Sequence, residues 1–447
     1  MFAPRLFRLL NRNAPDRRNR PALPFLLLAL FLLACNGAEA QPAAKVLRLG
    51  KIEVNGLERY TKEQVVSESG LQLGQPIDIQ AADEAATRLM SSGLFKKLSF
   101  RFRSAKDQAT ITFEVEEVKA TVPVVFDNFV WFSEQELLEA IRREVPSFDG
   151  TAPETGEMPD NIKRALQGLL NARKIQGHVE YLSAAGATGK NSRYIFNVKG
   201  IRLPICALLF PGTKDVKESD LLKASKPLFE QDYSREDVLT FARINLLPIY
   251  RQRGHLRASF LDPVVKLRSD ADCQNGVSVN LQVDEGEIYT WGNAEWTGNS
   301  VLTAQELSAA LGMKPGERAD GLKIDKGSVL ISEAYGKRGY IEARVESAVP
   351  VFDDSNRRVS YRYNVTEGGQ YRMGALEIKG LPEALTERIK LGWKLETSAA
   401  FDTSYDEAFV KKAMTELAAA GFAVQESKVE YKPNRDNRTV NVLITFK

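Results

Sequence analysis

The sequence predicts an α+β fold, built as a tandem array of five small β-α-α-β-β modules. The main observation is a phrase that occurs five times: a helix-like run ends at a glycine, and a strand opens directly after it. The glycines are Gly93, Gly177, Gly254, Gly339 and Gly421, with spacings of 84, 77, 85 and 82 positions. A regular period of this kind indicates an array of one repeated unit. Arrays of this kind bind and position other chains more often than they catalyse reactions.

The first copy shows the order of elements most clearly. The predicted elements are, in order, a strand over 47–55, a helix from Thr61, a helix from Asp78, and strands over 94–102 and 109–116. Thr61 and Gln64 have the spacing of a capping box, in which each side chain satisfies a free backbone N–H of the other residue. Gly93 ends the second helix, because glycine adopts the left-handed conformation without steric cost.

The other four copies repeat this order with one clear departure. Capping boxes recur at Ser133–Glu136 and Thr303–Glu306, and alternating closing strands recur over 277–283 and 440–446. The second copy carries an insert over 146–159 that contains glycine and proline. We expect this insert to be a mobile surface loop.

Composition places the chain among ordinary globular proteins. Its 447 residues are 43% hydrophobic and 27% charged, with a net charge of +3. No strongly basic face or acidic tail is implied, so we predict no nucleic-acid partner.

The first forty residues have the layout of a secretory signal peptide. Six arginines precede an apolar run over 24–33, which is shorter than the roughly twenty residues that span a bilayer. Two cleavage sites compete. Ala38-Glu39-Ala40 suits ordinary processing of a signal over 1–40, whereas Leu32-Leu33-Ala34-Cys35 resembles a lipoprotein box with a signal over 1–34 and lipidation at Cys35.

Five copies in register behind a signal peptide resemble the POTRA (polypeptide-transport-associated) domain. The motifs that carry this resemblance are Ile52–Leu57, Leu73–Ile77, Gly93–Phe95, Val283–Gly286 and Val365–Gly368. POTRA domains are the periplasmic modules of outer-membrane barrel-assembly insertases and of related two-partner secretion transporters. The resemblance implies that each module is a three-stranded mixed sheet with two helices on one face, its first and third strands adjacent and parallel. The predicted modules are 46–118, 119–199, 200–285, 286–367 and 368–447.

The sequence departs from the insertase pattern after the fifth copy. In that family the last POTRA module leads into a transmembrane barrel, whereas the fifth closing strand here ends at Phe446-Lys447. We therefore expect the partner to be an outer-membrane β-barrel protein on a separate chain. The membrane would be reached through that partner or through a lipid anchor.

Two cysteines, Cys206 and Cys273, fall in the third copy. In the POTRA fold they would lie at neighbouring ends of parallel strands, which suggests a disulfide in an oxidising compartment. The alternative is a pair of separate, reduced core thiols.

The POTRA fold also implies that the second strand of each module lies open at a sheet edge. Such an edge can accept an extended guest strand by β-augmentation. The candidate edge strands are Phe95–Phe102, Val179–Leu182, Leu256–Leu261, Ile341–Val345 and Val424–Val429.

The leading hypothesis is a periplasmic, outer-membrane-associated scaffold that assists protein assembly or secretion and handles unfolded barrel precursors. The alternative is a structural envelope linker that binds one fixed partner. No enzymatic motif occurs, and no cofactor is predicted. The two histidines, His178 and His255, fall in the strand-opening slot that Leu94, Tyr340 and Phe422 fill elsewhere, so we expect packing residues and no metal site.

Overall fold

The computed structural model describes residues 46–185, 191–346 and 348–447. Five sheets of three or four strands follow one another along the chain, with helices between their strands, which confirms the predicted α+β class. We call each of these five sheets, together with its helices, a unit, and we name the units A to E in chain order. The predicted signal peptide and Cys35 lie outside the described residues. Among the described residues, no helix combines the length and apolarity that a membrane span requires.

Unit A has the sheet order β1-β3-β2, in which β1 runs parallel and β2 antiparallel to β3. Its elements are β1 (Arg48–Asn55), α1 (Lys62–Ser69), α2 (Ile79–Ser91), β2 (Phe95–Ala105) and β3 (Gln108–Glu117). The predicted capping box opens α1: the Thr61 hydroxyl accepts the N–H of Gln64, and the Gln64 side chain accepts the N–H of Thr61. Gly93 has a φ of 83°, as its helix-ending position requires.

Unit B contains a four-stranded sheet of order β5-β4-β7-β6. Its elements are β4 (Thr121–Phe126), α3 (Glu134–Glu144), β5 (Thr151–Pro153), α4 (Met158–Ala172), β6 (His178–Ala185) and β7 (Asn191–Lys199). The central pair, β4 and β7, is parallel, and the other two pairings are antiparallel.

The insert over 146–159 is not the mobile loop that its glycine and proline content predicts. It supplies β5, which pairs with the start of β4, and it buries Phe148, Ala152 and Met158. Its backbone also reaches unit A, where the N–H of Glu157 donates to the carbonyl of Ser91 at 2.7 Å. The prediction failed because the apolar residues of the insert are too few and too irregularly spaced to show the period of a strand. In the folded chain these residues are nevertheless buried in the core.

Unit C has a three-stranded sheet, β10-β11-β8, and a separate short pair, β12-β9. Its elements are β8 (Ile205–Leu209), α5 (Glu218–Ala224), a 3₁₀ turn (Lys226–Glu230), α6 (Arg235–Phe241), a π-helical turn (Ala242–Leu246), α7 (Leu247–Gln252), β9 (Ser259–Phe260), β10 (Val264–Arg268), β11 (Gly276–Asn280) and β12 (Val283–Asp284). The π turn precedes Pro248, which lacks the N–H that a regular helix would use. Cys206 and Cys273 are joined by a disulfide with a Cα–Cα distance of 6.0 Å.

Units D and E repeat the parallel pairing of their first and last strands, β13 with β16 and β17 with β19. Unit D comprises β13 (Thr290–Thr297), α8 (Ala304–Leu311), α9 (Gly321–Gly336), β14 (Arg344–Val345), β15 (Val349–Asp353) and β16 (Arg358–Thr366). Unit E comprises β17 (Arg372–Lys379), α10 (Glu383–Lys390), α11 (Tyr405–Ala419), β18 (Ser427–Asn434) and β19 (Thr439–Phe446).

The apolar core is shared unequally among the units. One continuous cluster of buried side chains runs through units A and B, from Leu49 to Val198. Units C, D and E have separate clusters, each joined to a neighbour by few side chains, such as Leu256 of unit C in the core of unit D. Units A and B are therefore packed as one body.

Candidate functional site: the open sheet edges

Each of the five sheets has an edge at both ends, formed by strands with a sheet partner on one side only, and the candidate site in each is an edge strand that follows the helices in the chain. These strands are β2, β6, β10, β15 and β18. Within the described ranges no other strand covers their outer side, so backbone N–H and C=O groups there are available to a guest strand.

Two of the predicted edge segments lie on such strands. Phe95–Phe102 lies within β2, and Val179–Leu182 lies within β6. Phe95 and Val179 are buried against the core, whereas Leu182 is 49% exposed. In the segment Val179–Leu182, the side chain at the first position is therefore buried and the side chain at the last position is exposed.

The edge predicted over Leu256–Leu261 must be corrected. Leu256 lies in a turn and is buried in the core of unit D, and only Ser259–Phe260 forms a strand, paired with β12. The edge of the main sheet is β10, Val264–Arg268. Pro263 separates the two pieces, because proline cannot donate a ladder hydrogen bond.

The last two predicted edges are displaced towards the C-terminus. In Ile341–Val345 only Arg344 and Val345 are in a strand, and the longer edge strand is β15. In Val424–Val429 the strand begins at Ser427. In unit D the chain makes a further turn after Gly339, in which the N–H of Ala343 donates to the carbonyl of Tyr340 at 3.1 Å, and in unit E residues 422–426 lie between Gly421 and the strand.

The edge of β2 is the longest of the five, with eleven residues. Its side chains alternate: Leu98, Phe100 and Phe102 pack against the core, while the residues between them are exposed. From Leu98 to Arg103 this alternation presents one exposed and one apolar face along the edge, whereas a bulge interrupts the ladder between Phe95 and Lys97.

A groove of about 440 Å³ runs between this edge and helix α2. It is lined by Asp83, Ala86, Thr87, Met90, Ser91, Leu98, Ser99 and Phe100. Met90 is 39% exposed, although it is a large apolar residue. The groove therefore offers an apolar floor beside a row of backbone hydrogen-bonding groups, which is what an amphipathic guest strand requires.

Ion pairs flank the same edge. Lys96 and Lys97 both contact Glu116, at 3.2 and 3.1 Å, and Arg101 contacts Glu114 at 2.5 Å. The hydrogen bonds from Lys97 and Lys96 hold the pKa of Glu116 below its ordinary value. Exposed charges on edge strands discourage the pairing of like edges, so the strand is protected against self-association.

A second feature recurs beside the joints between units: a glutamate that accepts backbone N–H groups from the loop after the first strand of its own unit. Glu117 accepts from Glu58, Arg59 and Tyr60, at 2.9 to 3.2 Å. Glu285 does the same for residues 214–216, and Glu367 for residues 300–301. We call these three residues the clamp glutamates.

Two of the clamp glutamates, Glu285 and Glu367, have environments that favour a negative charge. For Glu367, burial acts to raise the pKa, but the Ser300 and Val301 donors and the Tyr335 hydroxyl outweigh it and lower the pKa to about 2. For Glu285, burial is likewise outweighed by three backbone donors. The sequence motifs Val283–Gly286 and Val365–Gly368 contain two of these residues, but their partners lie about 70 positions earlier in the chain, so the role could not be inferred from the motif alone.

The two histidines, which occupy one repeat slot, have different surroundings. His178 is exposed and contacts Glu180 at 3.2 Å. His255 is fully buried, and its Nδ1 atom lies 3.1 Å from the carbonyl oxygen of Glu285. The shared slot therefore does not imply a shared role.

Comparison with known families and proteins identifies the type of domain. The POTRA family model, described as "Surface antigen variable number repeat", matches residues 47–118 and 289–368. The outer membrane protein assembly factor BamA of Neisseria meningitidis serogroup B (strain MC58) is 22% identical over 259 residues, which cover 54% of this chain and 31% of the relative. A putative outer membrane protein assembly factor of Treponema pallidum (strain Nichols) is 27% identical over 216 residues, covering 43% and 26% respectively.

The chain thus spans about a third or less of the length of these relatives. A crystal structure of POTRA domains 3–5 of BamA from Haemophilus influenzae is similar with a TM-score of 0.38 and 21% identity, covering 55% of this chain and 96% of that one. The chain therefore contains POTRA domains, at residues 47–118 and 289–368, and resembles outer-membrane protein assembly factors over about half of its length.

Proposed function

We propose that units A to E are five POTRA-like modules, with the boundaries predicted from the sequence, and that they form a periplasmic arm for outer-membrane protein assembly or secretion. Two matches to the family model support the module assignment, and the recurrence of parallel first and last strands extends it to the remaining units. Similarity to two assembly factors supports the proposed role in outer-membrane protein assembly.

The proposed mode of action is β-augmentation, and the edge of β2 with its apolar groove is the observation that carries it. A guest strand would pair with the backbone of β2 and place alternate side chains over Met90, Leu98 and Phe100. Main-chain pairing depends little on sequence, so one edge suits many clients. The proposal assigns no catalytic step to this chain.

The proposed partners are a separate outer-membrane β-barrel protein and unfolded barrel precursors, which places the arm in the periplasm at the outer membrane. Similarity to two outer membrane protein assembly factors supports this assignment. The ion pairs of Lys96, Lys97 and Arg101 are compatible with it, because exposed pairs contribute little and yield readily to a competing strand.

The groove provides a direct test. The variant Met90→Lys keeps a good helix former in α2 but places a charge on the groove floor, so binding of a fluorescent peptide with an alternating apolar pattern should weaken by about tenfold. Ile79→Lys is the matched control: Ile79 is 59% exposed on the same helix and does not line the groove. Fluorescence anisotropy with the full chain measures both.

Equal binding by the two variants would contradict the site. If the wild-type chain binds no extended peptide at all, yet still co-purifies with one envelope protein under gentle cross-linking, the alternative of a structural linker with a fixed partner is favoured instead.

A further inference from the structure

We propose that Asp215, His255 and Glu285 form a binding site for a divalent transition-metal ion of the Zn²⁺ type, beside the joint between units C and D. Their candidate ligand atoms all lie within 4.8 Å of one another. Asp215 follows β8, His255 follows α7, and Glu285 follows β12. This site is independent of the proposed function.

The hydrogen bond at Nδ1 of His255 shows that this ring nitrogen carries a proton. The carbonyl oxygen of Glu285, 3.1 Å away, can only accept a hydrogen bond, so Nδ1 carries the proton that is donated. In the neutral ring Nε2 then has a free lone pair. A backbone carbonyl behind Nδ1 and a lone pair at Nε2 are the usual arrangement of a metal-binding histidine.

The Nε2 atom is buried and has no hydrogen-bond partner in the described part of the chain. It faces a carboxylate oxygen of Asp215 at 3.7 Å. A lone pair on Nε2 and a carboxylate oxygen at this distance repel each other, so the arrangement requires either a cation between them or a proton on Nε2. Leaving a buried nitrogen without a partner is unfavourable, so a ligand for Nε2 has a physical basis.

The distances and donor types fit zinc. With bonds of about 2.0 Å, the ligands of a tetrahedral zinc lie roughly 3.3 Å apart. Asp215 is exposed, so its side chain can rotate and bring its carboxylate oxygen to this distance from Nε2. Glu285 has capacity for a further contact at Oε2, which accepts one backbone N–H, that of Asp215 at 3.0 Å, whereas Oε1 accepts those of Lys214, Asp215 and Val216.

The test is Zn²⁺ binding by the full, disulfide-bonded chain after chelator treatment, measured by calorimetry at pH 7, with Cys35→Ala in every sample so that no free thiol competes. We expect about one ion per chain. His255→Phe should weaken binding by at least about tenfold, since even the outer partners of a metal ligand typically contribute tenfold or more. Phenylalanine keeps an aromatic ring at this buried position but offers no metal ligand.

The control is His178→Phe, which removes the only other histidine of the sequence and should leave the affinity unchanged. Asp215→Asn alters an exposed residue and should weaken binding without affecting the fold. Absence of zinc binding by the parent chain, loss of binding in the His178 variant, or equal affinity in the His255 and Asp215 variants and the parent would each overturn the proposal.

Discussion

At the scale of single residues, the clamp glutamates show how a charged side chain can hold a loop in place. Glu367 accepts the N–H groups of Ser300 and Val301 at 2.7 and 2.8 Å, and the hydroxyl of Tyr335 at 2.8 Å. Charge-assisted bonds of this kind are stronger than neutral ones. The loop therefore depends on the ionised form of one carboxyl group.

This dependence predicts an acid-sensitive contribution to stability. The folded-state pKa of Glu367 is lowered from its ordinary value of 4.5 to about 2. Its contribution is therefore complete above about pH 4.5 and is lost as the pH falls from there towards 2. Glu367→Gln should lower the free energy of unfolding by about 1–3 kcal/mol at pH 7, and by less at pH 3. Calorimetric unfolding at the two pH values measures the difference.

Glu295→Gln is the control for this experiment, because Glu295 lies in the same unit, is exposed and is paired only with Arg362. It should change stability little at either pH. A Glu367 variant whose loss of stability is the same at pH 7 and pH 3 would contradict the role of the charge.

At the scale of elements, the insert over 146–159 is part of the core rather than an appendage. Phe148 is 2% exposed within the cluster that joins units A and B. Ser147 donates to the buried carboxylate of Glu68 at 3.1 Å, and burial raises the pKa of that group. The insert thus connects two units through both apolar and polar contacts.

We therefore expect Phe148→Ala to destabilise the chain by about 3–5 kcal/mol, the usual cost of removing a buried aromatic ring. A mobile loop would tolerate the same change within about 0.5 kcal/mol. Urea unfolding gives the free energy, and hydrogen exchange of peptides from both units locates the loss.

Glu154→Ala, an exposed change in the same segment, should have little effect. If it proves as damaging as the Phe148 variant, the loss of stability cannot be assigned to the buried ring.

Prediction from the sequence succeeded where the signals are local. The capping boxes at Thr61, Ser133 and Thr303 all form, because each needs only two side chains on one helical turn. The edge strands after Gly254, Gly339 and Gly421 were placed too early. Strand pairing depends on long-range partners, and a residue such as Leu256 can be apolar because it packs in the next unit.

The candidate sites also differ in how far the sequence alone could predict them. The edge of β2 was predicted because the POTRA resemblance places the second strand of each module at a sheet edge, and this strand begins two residues after Gly93. The cluster around His255 was missed, since Asp215 and Glu285 lie 40 and 30 positions away in the sequence and only the fold brings them within reach.

At the scale of the whole molecule, the joints between units differ in kind. Units A and B share one apolar core, whereas units D and E meet through contacts such as Arg435 with Glu342 at 2.9 Å and the N–H of Tyr371 with the carbonyl of Gly339 at 2.7 Å. Exposed ion pairs contribute little to stability. We expect the A–B joint to be the more rigid.

Paired spin labels measure this difference as the width of a distance distribution. Labels at positions 84 and 163 report on units A and B, and labels at 326 and 411 on units D and E; all four positions are exposed on second helices. With Cys35→Ala as background, the first pair should give the narrower distribution. A distribution for the first pair as broad as for the second would mean that the shared core does not hold the two units together.

The clamp glutamates also set the mechanical character of the chain. Each one anchors the end of its unit, which leaves only residues 118–120, 286–289 and 368–371 before the next unit begins at Thr121, Thr290 and Arg372. An extended chain covers about 3.5 Å per residue, so each of these tethers reaches at most roughly 14 Å. A load placed on unit A, C or D is therefore passed to the following unit with almost no slack, so these three joints can transmit tension.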